Sequence, residues 1–269
     1  MSAAKLTVKR LSRAADRLLP TPIGITVLIY HRVGGGSTSA VDMDPHMFDE
    51  QLALLAAEHR VLSLSDALAE LTNPSALPVP GVVITFDDGT TDFTDFAVPA
   101  LVRHGLPATL YAATHFIDSG ERFPWDAPPA TWAALREAAS TGFVSIGSHT
   151  HSHWLMDRLE RGAIGTDLDR SIELIGKHIG TPPLDFAYPK AVPGSPIAEI
   201  EVRRRFRSAA LASSRVNRHG TPDVHRLWRT PVQRSDTLDY FSAKAAGGMR
   251  LEGELRSVLG RLRYRGDSR

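Results

Sequence analysis

The chain has 269 residues, 42% of them hydrophobic and 23% charged, with a formal net charge of +1. That length buries a sizeable core in one large domain or two small ones, and the near-neutral charge gives no reason to expect nucleic acid as a partner. There is no cysteine, which excludes disulfides, thiolate metal sites and cysteine nucleophiles; a transition metal would have to be held by His, Asp or Glu.

"MSAAKLTVKRLSRAADRLLP" is basic and weakly amphipathic. It lacks the continuous apolar stretch of a secretory signal, and nothing in the chain reaches the roughly 20 apolar residues of a membrane span. Residues 1–20 are therefore expected to form an exposed helical extension packed on the domain, with peripheral attachment to an anionic membrane as the other option. The expected compartment is the cytoplasm, with no transmembrane segment. "GITVLIYHRV" (24–33) is an apolar β-branched run, which predicts a buried strand ending at Tyr30–His31–Arg32. After the loop "GGGSTSA", Asp44 is a candidate N-cap and Pro45 the first residue of a helix, "DPHMFDEQLALLAAEH". "SLSDALAELTN" predicts a shorter helix, and "GVVITF" a strand.

The alternation continues. "DFAVPALVRHG" predicts a helix closed by Gly105, "PATLYAAT" a strand, "PATWAALREAASTG" a helix ending at Gly142, and "FVSIGS" a strand. A helix follows over 159–179, then the strand "LDFAYP", the helix "PIAEIEVRRRFR" and the strand "SAALASS". "LWRTPV" is the last strand, before a helical tail running to about Tyr264. Strands alternating with helices imply an α/β fold, a mostly parallel sheet with its helices outside. One domain over 21–247 is expected, flanked by the N-terminal extension and a C-terminal tail over 248–269.

In a barrel of that kind the working residues sit where strands pass into loops. His31–Arg32, Asp87–Asp88, His149 to His153, Tyr188–Pro189–Lys190 and Arg229 all fall at or near such places, so five polar groups are expected to converge on one face. His149 and His153, four residues apart in "SHTHSH", have a spacing that lets two imidazoles reach one ion. The adjacent carboxylates of Asp87 and Asp88 also call for a cation. One of them can bind it, and the other, held off the ion, can take a proton from a water that the ion acidifies. Gly89 suits a turn with an unusual backbone angle or a close approach. That arrangement fits hydrolysis of an amide or ester. His151 is expected to point away from the ion, and His46, His104, His178 and His219 to be structural or exposed.

These residues resemble the polysaccharide deacetylase family, the NodB-homology group known as carbohydrate esterase family 4. "TFDDG" (85–89) is similar to its first motif, and "SHTHSH" contains its second, H-[ST]-x-x-H. The likeness runs from about Ile25 to Val232 and includes "YHRV", "PATLYAATHFID" and "FAYP"; the succession "YHRV…TFDDG…SHTHSH…FAYP" looks most like the branch that includes the deacetylases of poly-N-acetylglucosamine. The resemblance implies a distorted (β/α) barrel and a divalent metal, usually zinc, serving the removal of N-acetyl groups from amino-sugar polymers. By motif position it implies Asp87 as the base and Asp88, His149 and His153 as metal ligands.

The later motifs depart from the family. The arginine of R-x-P-[YF] is replaced by Ala187, with Lys190 at the aromatic position; D-x-x-D-W is absent; and L-x-H becomes Leu227–Trp228–Arg229. His31 either supplies the missing proton donor, helps position the substrate, or is a hydrogen-bonded histidine closing the barrel end. Arg229 either replaces the missing arginine beside Asp87 or is a structural charge. Tyr188, Pro189, Lys190 and Trp228 are candidate substrate contacts, with packing or solvation as the bland alternative. Trp125, in "RFPWDAPP", is a candidate border of the cleft. The substrate expected is an N-acetylated sugar or glycan. The alternatives are a small non-sugar amide cleaved at the same site, or a binding protein whose catalytic site is spent.

Overall fold

A computed structural model describes residues 3–18, 22–220 and 222–255. In chain order it contains α1 (Ala3–Leu18), β1 (Ile25–Tyr30), β2 (Arg32–Val33), β3 (Asp42–Met43), α2 (Pro45–Glu58), α3 (Leu64–Thr72) and β4 (Gly81–Asp88). These are followed by α4 (Val98–His104), β5 (Ala108–Ala112), α5 (Thr114–Ser119), α6 (Trp132–Ser140), β6 (Val144–Ser148), α7 (Arg161–Ile179) and β7 (Asp185–Ala187). The last elements are α8 (Pro196–Arg205), β8 (Ser208–Ala212), β9 (Leu227–Pro231) and α9 (Leu238–Ala245). A π-helical turn, Phe93–Ala97, leads into α4.

Seven strands close into a barrel in the order β1-β4-β5-β6-β7-β8-β9, and β9 pairs back onto β1. Every pairing in the barrel is parallel. All seven barrel strands fall where the apolar runs of the sequence place them. Both faces of a barrel strand are covered, so "ITVLIY" and "GVVITFDD" are buried at every position. The end of the barrel at which the strands begin is plugged by Leu64, Ala67, Leu68 and Leu71 of α3, which pack against Ile25, Val27 and Val83. The outer faces of the same strands pack against helices: Leu28, Ile84 and Phe86 meet Phe48 and Leu52 of α2.

Local chemistry fixes the helix ends as expected. The Asp44 carboxylate accepts from the backbone N–H of His46 and Met47, with Pro45 at the first helical position. Gly105 closes α4 in the left-handed conformation, φ 67°. Three details differ from the sequence expectation. "PATLYAAT" leaves the strand at Ala112, and the short helix α5 begins at Thr114. Arg32–Val33 and Asp42–Met43 pair as a small two-stranded sheet. The C-terminal tail is not one continuous helix, since it breaks between α9 and Arg250 at the pair Gly247–Gly248. The rest of the predicted tail, 256–269, lies outside the described residues, as do residues 1–2 and 19–20 of the predicted extension.

The described part of α1 is tied to the barrel by buried charge. Lys9, 1% exposed, pairs with Asp236 and lies 3.1 Å from Glu252, while Lys244 of α9 reaches the same two carboxylates at 2.8 and 3.3 Å. The carboxylate of Asp16 accepts the backbone N–H of Met249, and the Ser12 hydroxyl accepts that of Glu252. No helix among the described residues is long and apolar enough to cross a membrane.

Candidate metal centre

Adjacent residues of a regular strand face opposite sides of it. Asp87 shares the inward row with Thr85; a straight continuation would turn Asp88 outward. The backbone leaves strand geometry there: Asp88 has φ 79° and Gly89 φ 97°. A side chain at Gly89 would also put its Cβ 3.0 Å from Ile117 Cδ1, which would have to yield slightly; the backbone angle is what favours glycine in this turn. Both carboxylates thereby lie buried at the same end of the barrel.

The loop after β6 supplies the histidines. It is a compact loop with left-handed backbone at Thr150 (φ 68°) and His153 (φ 60°). The carboxylate of Asp167, from α7, holds it by accepting the backbone N–H of His151 and of Ser152, each at 2.9 Å. The Thr150 hydroxyl accepts from the His153 N–H at 2.9 Å. One carboxylate oxygen of Asp88 and one ring nitrogen each of His149 and His153 lie within 4.8 Å of one another. His153 Nε2 is 3.3 Å from Asp88 Oδ1, and His149 Nε2 is 3.7 Å from the same oxygen.

These residues fit a divalent ion. Bonds of about 2.0–2.1 Å to N and O ligands place ligand atoms roughly 3–4 Å apart. His149 Nδ1 lies 2.8 Å from the carbonyl oxygen of Ala187; a carbonyl only accepts, so Nδ1 carries the hydrogen and the Nε2 lone pair faces Asp88. Burial pushes the His149 imidazole down to about 4, which keeps it neutral at physiological pH, as a ligand must be. The Asp88 carboxyl is pushed up by burial, but the hydrogen bond and charge of His153 outweigh this and hold it well below the usual carboxylate range.

Beside this triad sits a second group. The Arg229 guanidinium donates to both carboxylate oxygens of Asp87, at 2.6 and 2.9 Å, and to the Thr85 hydroxyl at 3.2 Å. Arg229 is fully buried, with its guanidinium over the ring of Tyr111 at 5.1 Å. Room for that ring comes from Gly147, where a Cβ would stand 2.7 Å from Tyr111 Cδ1. Burial pushes the Asp87 carboxyl up, and the Arg229 guanidinium reverses the shift to a net lowering. Asp87 Oδ2 is 3.9 Å from His149 Nε2.

His31 follows β1 directly, at the end of the barrel where Asp87 and Asp88 lie. Its Nδ1 is buried and has no hydrogen-bond partner among the described residues. Arg32 pins the same loop, donating to Asp92 at 2.8 Å. Pro189 and Lys190 form a tight turn after β7, with φ 54° at Lys190.

Two candidates are not brought to this group. Tyr188 is buried in an outer apolar cluster with Phe186, Val202 and Phe206, so a substrate platform there is corrected to a packing role. Trp228 precedes inward-facing Arg229 and therefore faces outward. It packs on the same cluster and lines a cavity of about 900 Å³ with Arg215, Asn217 and Arg226. Sequence reasoning missed Asp167 and Tyr111, which hold the histidine loop and Arg229. Neither leaves a local signal, because each acts across elements distant in the chain. His151 points to the Thr114 hydroxyl, 3.0 Å away, outside the donor triad as expected.

Residues 75–201 match the family model described as polysaccharide deacetylase. Bacillus subtilis (strain 168) YxkH, which carries a polysaccharide deacetylase designation, is 29% identical over 133 residues, 49% of this chain and 44% of its own. The chain thus spans less than half the length of that curated relative. Among solved structures, IcaB from Ammonifex degensii superposes with a TM-score of 0.75 at 24% identity, covering 84% of this chain and 98% of its own. The Streptococcus pyogenes deacetylase PplD, in complex with acetate, gives 0.73 at 20% identity, covering 84% and 99%. At such identities the structural likeness establishes the barrel. The family-model match spans both the aspartate pair and the histidine loop, so the stretch that carries the donor triad is similar to polysaccharide deacetylases.

Proposed function

We propose that the protein is a hydrolase of carbon–nitrogen bonds that removes N-acetyl groups from an amino-sugar-containing glycan or its precursor. Asp88, His149 and His153 would hold a divalent ion, zinc by the preference of a two-imidazole, one-carboxylate set. The observation that carries this reading is a buried carboxylate, Asp87, clamped by Arg229 beside the donor triad but outside it. When bound, such an ion polarises an amide carbonyl and acidifies water.

The chain's own residues then divide the proton work. Asp87 takes the proton of the attacking water; its lowered proton affinity keeps it ionised and ready. Arg229 cannot serve as the proton donor that the family's fifth motif supplies, because a guanidinium does not release its proton in proteins. It is a positioning residue that fixes the Asp87 carboxylate in one plane. His31, at the same strand end as both aspartates and with no partner for its Nδ1 among the described residues, passes a proton to the departing nitrogen. Lys190, at the same mouth, contacts the substrate.

The direct test is acetate release from N-acetylglucosamine oligomers by purified protein, abolished by a chelator and restored by zinc. Turnover of small amides with none on oligomers would move the substrate outside the glycans. Stoichiometric zinc with no turnover of either class would make the site a spent one.

A further inference from the structure

Beyond the ligands and the Asp87–Arg229 pair, one feature of the mouth has no part in the chemistry above. Phe123, Pro124, Trp125 and Asp126 form a tight turn closed by the Asp126 N–H donating to the Phe123 carbonyl at 2.8 Å, and the Phe123 N–H donates to Ala127 at 2.9 Å. Arg122 braces it by donating to both the carboxylate and the carbonyl of Asp126. Phe123 is 1% exposed and anchors the turn, its ring 4.3 Å from that of Phe116 in α5. Trp125 stacks on Phe123 at 5.1 Å with 21° between the planes. Its ring lies 5.9 Å from the ring of His153, at 66°. Phe116 approaches His153 from the same wall at 6.3 Å. Trp125 nevertheless remains 39% exposed.

One indole face is therefore spent on Phe123 and one edge meets a donor of the metal triad, while a large part of the ring stays open to solvent. The turn that carries it is cross-braced, so little ordering entropy remains to be lost when a ligand covers the open part. A pyranose ring offers a matching surface, an apolar patch of C–H groups that gains by leaving water for an aromatic ring. The reach also fits: in an acetamido sugar the carbonyl carbon stands two bonds from the ring, roughly 2.5 Å in space. A sugar whose acetyl group enters the triad keeps its own ring within the span of the neighbouring indole.

We propose that Trp125 is a specificity-determining residue: the platform on which the pyranose bearing the scissile N-acetyl group stacks, favouring a sugar over an unglycosylated amide or ester. The inference rests on the deacetylase reading for its choice of ring, yet it is tested by binding and so can stand or fall apart from turnover.

The experiment measures calorimetric binding of an N-acetylglucosamine tetramer to zinc-loaded protein carrying Asp87→Asn, alone and combined with Trp125→Ala, Trp125→Leu or Trp125→Phe. The expected result is a Kd raised at least tenfold by Ala and by Leu, and brought back to within about threefold by Phe, with zinc content equal in all. In the catalytically intact background the tetramer KM should rise with Trp125→Leu, and the ratio of kcat/KM for tetramer over 4-nitrophenyl acetate should fall at least tenfold. Leu keeps apolar bulk without a ring face, so it decides the matter if Ala fails to fold. A Kd changed less than twofold by Leu overturns the platform, as does an equal loss of kcat/KM on both substrates. Failure of wild-type turnover alongside Trp125-dependent tetramer binding overturns the deacetylase reading and leaves the platform in place.

Discussion

Asp88 is asked to do what a strand residue ordinarily cannot, to share an end of the barrel with its immediate neighbour. The positive φ at Asp88 and Gly89 achieves this, and it separates two roles that adjacent identical side chains would otherwise blur. Asp88→Ala or His149→Ala should abolish zinc stoichiometry, read by elemental analysis. Asp87→Asn should keep the zinc and lose about three orders of magnitude in kcat. Arg229→Lys preserves charge but not the two-point grip, and should cost about 10–100-fold in kcat with zinc content unchanged. Arg229 holds the Asp87 proton affinity down. A weaker grip lets it rise, so the base is lost earlier on acidification and the acid limb of kcat/KM should move to higher pH. The aspartate pair and the H-x-x-x-H spacing were legible because each is local in the chain. The partnership of Arg229 with Asp87 was left with two readings, since it spans 142 positions and depends on which way one β9 residue faces. The same parity, unseen in sequence, sends Trp228 outward.

Among the elements, α1 departs most from what its composition suggests. A basic amphipathic segment is expected to display its charges to water, yet Lys9 is buried between Asp236 and Glu252. No local pattern announces this, because the partners come from the far end of the chain. Removing one member strands the others without solvent. Lys9→Ala should therefore cost about 3–5 kcal/mol, measured by denaturant unfolding. The Asp236 carboxyl is pushed up by burial but pulled below its ordinary 3.8 by Lys244 and Lys9. Its folded value lies under its unfolded one, so its contribution is complete above about pH 4 and fades as pH falls through the folded value. Wild type should lose stability more steeply than Asp236→Asn below pH 4. A parallel pair of acid-unfolding curves would argue against the network. The short helix α5 was missed for a different reason, its first residue Thr114 being read as the end of the preceding strand: six residues give too little period to announce a turn of helix.

At the scale of the whole molecule, the succession of strands and helices was readable because most barrel strands are buried apolar runs and most helices end on a local signal, a capping side chain such as Asp44, Ser63, Thr131, Ser195 or Thr237, or a closing glycine such as Gly105 or Gly180. Closure of the sheet was not, since it depends on β9 finding β1 across the length of the chain. Closure is also uneven. The sheet is joined between β6 and β7 through a single register pair, Ser148 with Phe186, whereas β1 and β4 share six. The His149 imidazole crosses that thin seam to the Ala187 carbonyl. One histidine is thus both the proposed ligand and a rivet: losing it should loosen the hoop as well as empty the proposed centre. Amide hydrogen exchange along 185–187 should quicken more in His149→Ala than in Asp88→Ala, although both shed the ion.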